Sequence, residues 1–196
     1  MSKHADLLRD RISTSAKAKQ RLAEDDEALE LLAGIADELI RALRGGGTVF
    51  WCGNGGSSTD AEHMSAELLG RFYYDRPSLP SYCLASNTAA MTAIGNDYSY
   101  ELTFARQLAG LAKPGDVLIG LSTSGNSANV VRAIEQAQEM GVKTVAFTGA
   151  GGGKMAGLAD HVFLAPSDDT PRVQECHMVV GHTLCEIVEA ELHPRG

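Results

Sequence analysis

The stretch Asp116-Val-Leu-Ile-Gly-Leu-Ser-Thr-Ser-Gly-Asn-Ser-Ala-Asn-Val-Val131 decides how the rest of the chain is interpreted. Its apolar run, residues 117–121, is too short for a helix and lies between turn formers, so we predict a strand buried on both faces. From Ser127 the apolar spacing becomes that of a helix. A strand followed by a turn and a helix is the repeating unit of an α/β protein.

Hydroxyl side chains crowd the turn after this strand, at Ser122, Thr123, Ser124 and Ser127. A helix N-terminus next to such a turn presents backbone N–H groups, a positive dipole end and hydroxyl donors to one point, which suits a phosphate. The turn has no lysine and no nucleotide-binding P-loop pattern, so a phosphate on a small organic ligand fits better than a nucleoside triphosphate. The alternative is that Ser127 is only an N-cap and the other hydroxyls only turn formers.

A second unit of the same kind lies upstream, with a predicted strand at 48–52, a glycine-rich turn at 53–57 and a helix at 58–69. Alternating strands and helices along the chain predict an open parallel sheet of five strands with helices on both faces, and ligands at the carboxyl ends of the strands. The remaining predicted strands are 81–85, 144–148 and 161–165, and the remaining predicted core helices are 88–94, 98–111, 127–140 and 171–192.

The first 45 residues are predicted to form a helical arm of two helices within 3–44, divided near the acidic run 24–27. The first helix has too few apolar residues for a core of its own, so we expect it to pack on a neighbouring subunit or across the domain. Residues 46–196 are predicted to form the α/β core, which with the arm makes a single domain over 1–196.

Composition excludes several classes of protein. A formal charge of −8 with no basic run argues against a nucleic-acid-binding surface. The four cysteines, at 52, 83, 176 and 185, contain no Cys-x-x-Cys pair, and we expect reduced, buried thiols. No signal peptide or membrane-spanning run is evident, so we expect a cytoplasmic protein with no membrane partner.

Two pairs of polar residues on helices are candidates for chemistry. His63 and Glu67 are four apart and share a helix face, where the alternative is an ordinary solvated pair. Gln174 and His182 are eight apart on the last helix and lie on broadly the same side. That helix also carries His177, and the residues alone do not choose between the two histidines.

The motifs Cys52-Gly-Asn-Gly-Gly-Ser57, Asp60-Ala-Glu-His-Met-Ser-Ala-Glu-Leu68, Ser122-Thr-Ser-Gly-Asn-Ser-Ala-Asn-Val130 and Val173-Gln-Glu-Cys-His177 occur in one order along the chain. With Gly95-Asn-Asp97 and Gly152-Gly-Lys-Met-Ala-Gly157 they closely resemble the bacterial phosphoheptose (sedoheptulose 7-phosphate) isomerases of the sugar isomerase (SIS) domain superfamily. The resemblance runs from the N-terminal helices to the last helix.

The resemblance implies a flavodoxin-like SIS fold with an N-terminal helical extension, in a homotetramer with active sites at subunit interfaces. It also implies conversion of sedoheptulose 7-phosphate to D-glycero-D-manno-heptose 7-phosphate, the first step towards the ADP- or GDP-heptoses of lipopolysaccharide or capsule. By motif, Glu67 would be the base and His182 its acid partner, and one Zn²⁺ per subunit would be held by His63, Glu67, Gln174 and His182. The substrate would contact Asn54, Gly55, Gly56, Ser57, Glu67, Asn96, Asp97, Ser122, Thr123, Ser124, Ser127 and Gln174.

One position departs from the family pattern, because Thr170-Pro171-Arg172 replaces an acidic or alanine residue followed by arginine. Proline suits a first helical position, and no acidic role is carried over to it. Two alternatives stay open: a non-catalytic phosphosugar-binding or replication-initiator-associating relative, and an isomerase of shorter sugar phosphates. Retention of Glu67, Gln174 and His182 favours catalysis.

Overall fold

A computed structural model describes residues 2–195 and contains one five-stranded sheet in the order β2-β1-β3-β4-β5. Every neighbouring pair of strands is parallel. The predicted open parallel sheet flanked by helices is therefore confirmed. The strands are β1 Val49–Gly53, β2 Ser81–Cys83, β3 Val117–Ser122, β4 Lys143–Thr148 and β5 His161–Leu164.

The helices also follow the predicted order, with one change within residues 98–111. The predicted helix over 98–111 is divided into a 3-10 turn, Tyr100–Leu102, and the helix α5, and Asp97 is the last residue of α4. A second 3-10 turn, Lys154–Gly157, follows the glycine-rich loop after β4. The helices are α1 Lys3–Ala23, α2 Asp26–Arg44, α3 Gly56–Leu69, α4 Thr88–Asp97, α5 Thr103–Leu111, α6 Ala128–Glu139 and α7 Thr170–Leu192.

Two hydrophobic clusters cover the two faces of the sheet, because alternate residues of each strand point to opposite sides. Val49 and Trp51 of β1 pack with α2, α3 and α7, whereas Phe50 and Cys52 pack with α5 and α6. The α3 and α7 helices thus lie on the same face of the sheet. This shared face is what brings the side chains of α3 and α7 together.

In the N-terminal arm, α2 packs on the core along its length, whereas α1 is buried only towards its C-terminal end. Ala18 and Leu22 at the end of α1 are buried in the main cluster, whereas Leu7, Leu8 and Ile12 are 53%, 63% and 68% exposed. The acidic run divides the arm because Asp25 caps α2, accepting a hydrogen bond from the Ala28 N–H at 3.0 Å.

The four cysteines are buried free thiols, as the sequence predicts. No helix within residues 2–195 is both long and apolar enough to cross a lipid bilayer.

Candidate active site

The hydroxyl-rich turn joins the carboxyl end of β3 to the N-terminus of α6. The hydroxyls of Ser122 and Ser127 lie 2.8 Å apart, and the Ser122 and Ser124 hydroxyls lie 3.4 Å apart. Ser127 occupies the N-cap position, but its side chain makes no capping hydrogen bond. Its hydroxyl faces the turn instead, which favours a ligand-binding role over simple capping.

The glycine-rich loop after β4 contacts the hydroxyl-rich turn through backbone hydrogen bonds. The Met155 N–H donates to the Gly125 carbonyl at 3.0 Å, and the Gly149 N–H donates to the Thr123 carbonyl at 3.1 Å. Gly153 has a φ of +57°, and a Cβ built there would lie 2.5 Å from the Ser124 carbonyl oxygen. Only a glycine lets the two loops approach this closely.

The glycine turn after β1 is held by Asn129, a residue not predicted from the sequence. The amides of Asn54 and Asn129 donate to each other at 2.7 and 2.9 Å, and the Tyr100 hydroxyl donates to the Asn54 side-chain oxygen at 2.9 Å. Asn129 is only 2% exposed. Its position in the first turn of α6, directly after a strand and a turn, is the sequence feature that could have indicated this role. These bonds join the turns after β1 and β3 into one edge of the sheet.

Two of the predicted polar residues on α3 and one on α7 converge. His63 Nε2 lies 2.9 Å from Glu67 Oε1 and 3.3 Å from His182 Nε2. One ligand atom from each residue lies within 4.8 Å of the others. Two imidazole nitrogens and a carboxylate oxygen facing one point form a donor set that could hold a metal ion.

Gln174 lies beside this cluster, where α7 touches the glycine turn. A Cβ at Gly56 would meet the Gln174 Nε2 at 2.1 Å, so the glycine makes room for that side chain. Asp60 of α3 also lies near Gln174, and its Oδ2 is buried without a hydrogen-bond partner among residues 2–195. Burial raises the pKa of the Asp60 carboxyl above its usual value, while the nearby Gln174 side chain and His63 partly offset this effect. Asp60 precedes His63 by three residues and therefore faces the same side of α3.

The structure separates the two histidines of α7. His177 is 1% exposed, packs against Phe147 and Phe163, and has its Nε2 3.0 Å from the Thr148 carbonyl oxygen. His182 is the histidine that meets Glu67 and His63.

Asn96 and Asp97 lie elsewhere on the monomer. Both are exposed at the end of α4, where the Asn96 amide donates to the Asp97 carboxylate at 2.9 Å. Within residues 2–195 they form no hydrogen bond with the cluster of His63, Glu67 and His182. One chain therefore brings together the carboxylate, the histidines and Gln174, with Asn96 and Asp97 outside that group.

The sequence profile of the SIS domain family matches residues 13–149. The chain is 46% identical to a phosphoheptose isomerase of Aneurinibacillus thermoaerophilus over 184 residues, covering 94% of this chain and 93% of the relative. It is 48% identical to a phosphoheptose isomerase of Rhodospirillum rubrum, covering 95% and 98% of the two chains. A solved structure of phosphoheptose isomerase from Neisseria gonorrhoeae is similar to this fold with a TM-score of 0.90 and 35% identity, covering 96% of this chain and all of the other.

Proposed function

The chain belongs to the phosphoheptose isomerase family of SIS-domain proteins, and we propose that it converts sedoheptulose 7-phosphate to D-glycero-D-manno-heptose 7-phosphate. Family membership makes the protein an isomerase. The observation that carries the proposal is the meeting of Glu67 on α3 with His182 on α7, since both lie within 4.8 Å of His63. A carboxylate beside an imidazole is the pair that a ketose–aldose isomerisation needs.

The reaction moves one proton between neighbouring carbons through an enediol. Glu67 takes a proton from carbon 1 of the ketose and returns it to carbon 2. His182 donates a proton to the carbonyl oxygen on carbon 2 and accepts the hydroxyl proton from the oxygen on carbon 1. No net proton is consumed, and both side chains end in their starting states.

We assign the phosphate to the turn after β3, with Ser122, Thr123, Ser124 and Ser127 as its ligands, together with Ser57 from the start of α3. The side chain of Ser127 is free of capping, and the first turn of α6 follows directly. Binding the remote phosphate orients the reacting carbons. Asn54, Gly55, Gly56 and Gln174 would contact the sugar, and so would Asn96 and Asp97.

We propose one Zn²⁺ per subunit, held by His63, Glu67, Gln174 and His182. The donor set fits this ion, because imidazole nitrogens and a carboxylate oxygen are ligands that zinc takes in proteins, and one such atom from each of His63, Glu67 and His182 lies within 4.8 Å of the others. The contacts at His63 measure 2.9 and 3.3 Å. When bound, zinc would polarise the carbonyl and hydroxyl oxygens of the sugar. With zinc bound, Glu67 and His182 would each have to leave the metal or shift their coordination to act as the base and the acid.

Activity that survives thorough chelation, in protein shown by elemental analysis to be metal-free, would contradict a zinc requirement.

A homotetramer with shared sites is the assembly we propose. Support comes from the exposed apolar residues Leu7, Leu8 and Ile12 on α1, and from the exposed position of Asp97, which makes no hydrogen bond with the Glu67 cluster among residues 2–195. Light scattering tests the tetramer. Mixing Glu67→Gln with Asp97→Ala subunits tests the shared site, since activity recovered after confirmed subunit exchange requires Glu67 and Asp97 to act from different chains.

We further propose that the enzyme works in the cytoplasm, where its four unpaired thiols stay reduced. Its product would supply the heptoses of lipopolysaccharide or capsule.

Proton NMR in D₂O with sedoheptulose 7-phosphate tests the reaction. We expect an aldose signal with deuterium at carbon 2 for the wild type and a loss of at least about 1,000-fold in rate for Glu67→Gln, since a general base is removed. Glu62→Gln is the matched control, because Glu62 is an exposed glutamate of the same helix. Absence of turnover in the wild type, with and without added zinc, would contradict the proposal and leave phosphosugar binding without catalysis.

A further inference from the structure

A buried ion pair lies outside the candidate active site. It connects α3 and α7, the two helices that carry the residues of that site. Arg76 lies in the segment 70–80 between α3 and β2, and Glu189 lies on α7. Arg76 Nε is 3.0 Å from Glu189 Oε1, and both side chains are only 1% exposed. Charged groups are buried this completely only when they are paired and hydrogen-bonded.

The Arg76 guanidinium binds the end of the helix that carries Glu67. It donates to the backbone carbonyl of Glu67 at 2.8 Å and to that of Leu68 at 2.7 Å. It also reaches the Gly70 carbonyl at 3.3 Å. The last carbonyls of a helix lack partners within the helix, and a cation there also suits the negative end of the dipole. Arg76 thereby fixes the backbone of Glu67 itself.

The Glu189 carboxylate binds the backbone of the segment that lies beside His182. It accepts hydrogen bonds from the Phe72 and Tyr73 N–H groups, each at 2.7 Å. The Phe72 ring then lies 5.8 Å from the His182 ring, centre to centre. Glu189 follows His182 by seven residues, about two helical turns, so both side chains are on the same side of α7. Burial raises the pKa of Glu189, but the two amides and Arg76 outweigh it and hold the pKa below the usual value.

We propose that Arg76 and Glu189 are positioning residues that set the separation of Glu67 from His182. Arg76 of this ion pair binds the Glu67 carbonyl, and Glu189 binds the backbone N–H of Phe72, whose ring lies beside His182. Neither residue of the pair belongs to the cluster of His63, Glu67 and His182. Its catalytic consequence rests on the proposed function, whereas its effect on the position of His182 does not.

Steady-state kinetics of Glu189→Gln is the first test. A neutral amide cannot accept from two N–H groups and also pair with Arg76, so we expect kcat to fall by about 10- to 100-fold, since small misplacement of reacting groups costs that much. The KM should stay within about threefold, because the serine turn is untouched. The matched control is Glu191→Gln on the same helix as Glu189. This variant removes an exposed ion pair between Glu191 and Arg44 of α2. A folded Glu189→Gln with the kcat of the wild type would overturn the proposal.

Arg76→Lys separates positioning from a merely structural ion pair. Lysine keeps the positive charge beside Glu189, but it cannot also bind the Glu67, Leu68 and Gly70 carbonyls in the fork geometry of arginine. We expect kcat to fall about tenfold or more with little change in KM. A kcat equal to that of the wild type would show that the charge alone matters and would overturn the positioning role. This variant also decides the question should Glu189→Gln fail to fold.

NMR of ¹³C-histidine-labelled protein tests the geometry without turnover. The ring signal of His182, assigned by its loss in His182→Asn, should shift in Glu189→Gln and stay in place in Glu191→Gln, because the Phe72 ring moves only in the former. An unshifted signal in Glu189→Gln would overturn the positioning role. A shifted signal in a protein whose wild type shows no turnover would instead uphold the geometry and refute the proposed reaction.

Discussion

Acidification from pH 7 to pH 5 should destabilise the protein by about 2 kcal/mol through His177 alone. This histidine is 1% exposed between Phe147 and Phe163, and its Nδ1 has no hydrogen-bond partner among residues 2–195. The neutral ring donates from Nε2 to the Thr148 carbonyl, whereas the charged ring would bury a second N–H with nothing to receive it. Burial therefore lowers the pKa of His177 to about 4.

The magnitude and the direction follow from that pKa. The unfolded chain takes up the proton near pH 6.5, the ordinary value, while the folded chain resists it until about pH 4. The stability contributed by the neutral ring is complete above pH 6.5 and is lost as the pH falls towards 4. The full difference corresponds to about 3 kcal/mol at about 1.4 kcal/mol per pKa unit, and about 2 kcal/mol of it falls between pH 7 and pH 5.

Urea unfolding of the wild type and His177→Gln at pH 7 and pH 5 is the assay, at one protein concentration because assembly affects apparent stability. Glutamine can still donate to the Thr148 carbonyl but does not titrate. We expect the variant to be less stable than the wild type at pH 7 and to lose about 2 kcal/mol less on acidification.

The carboxylates of Asp160 and Glu189 titrate at lower pH than the interval in which His177 changes the stability. The pKa values of Asp160 and Glu189 lie below their usual 3.8 and 4.5. Burial raises each pKa, but hydrogen bonds and a neighbouring cation outweigh it, so both carboxylates stay ionised between pH 5 and pH 7. Parallel pH dependence in the wild type and His177→Gln would refute the reasoning, because it would show that His177 does not control stability in this range.

Two glycine substitutions test the loops around the site. Gly153→Ala should raise the KM for the phosphorylated substrate about tenfold or more, because its Cβ would press on the Ser124 carbonyl, whereas Gly151→Ala, with nothing within 4 Å of its Cβ, should leave the KM unchanged in the same assay. Gly56→Ala should weaken zinc retention by about tenfold, measured by competition with a chelator, because its Cβ displaces Gln174 at little cost in stability. Equal zinc affinity in Gly56→Ala and the wild type would argue that Gln174 is not a ligand.

Local patterns were enough for most of the fold. The apolar run at 117–121 and the change to helical spacing after Ser127 predicted β3 and α6, and repetition of that unit predicted the parallel sheet. The predicted helix 98–111 failed at its start, where the structure has a 3-10 turn at Tyr100–Leu102. Periodicity reports which residues face the core, but it is insensitive to a change from α to 3-10 geometry over three residues.

The sequence by itself determined the units of this protein: which segments form strands, which turns carry glycines and hydroxyls, and which helices carry Glu67 and the candidate histidines. The family motifs pointed to His182, but only the tertiary structure shows why: His182 meets Glu67, while His177 is buried against Phe147. The two histidines are five residues apart, about 140° around α7, so each faces a different neighbour. Spacing along one helix fixes the angle between the two histidines. The packing of α3 and α7 on the same face of the sheet decides which of the two histidines faces the Glu67 carboxylate.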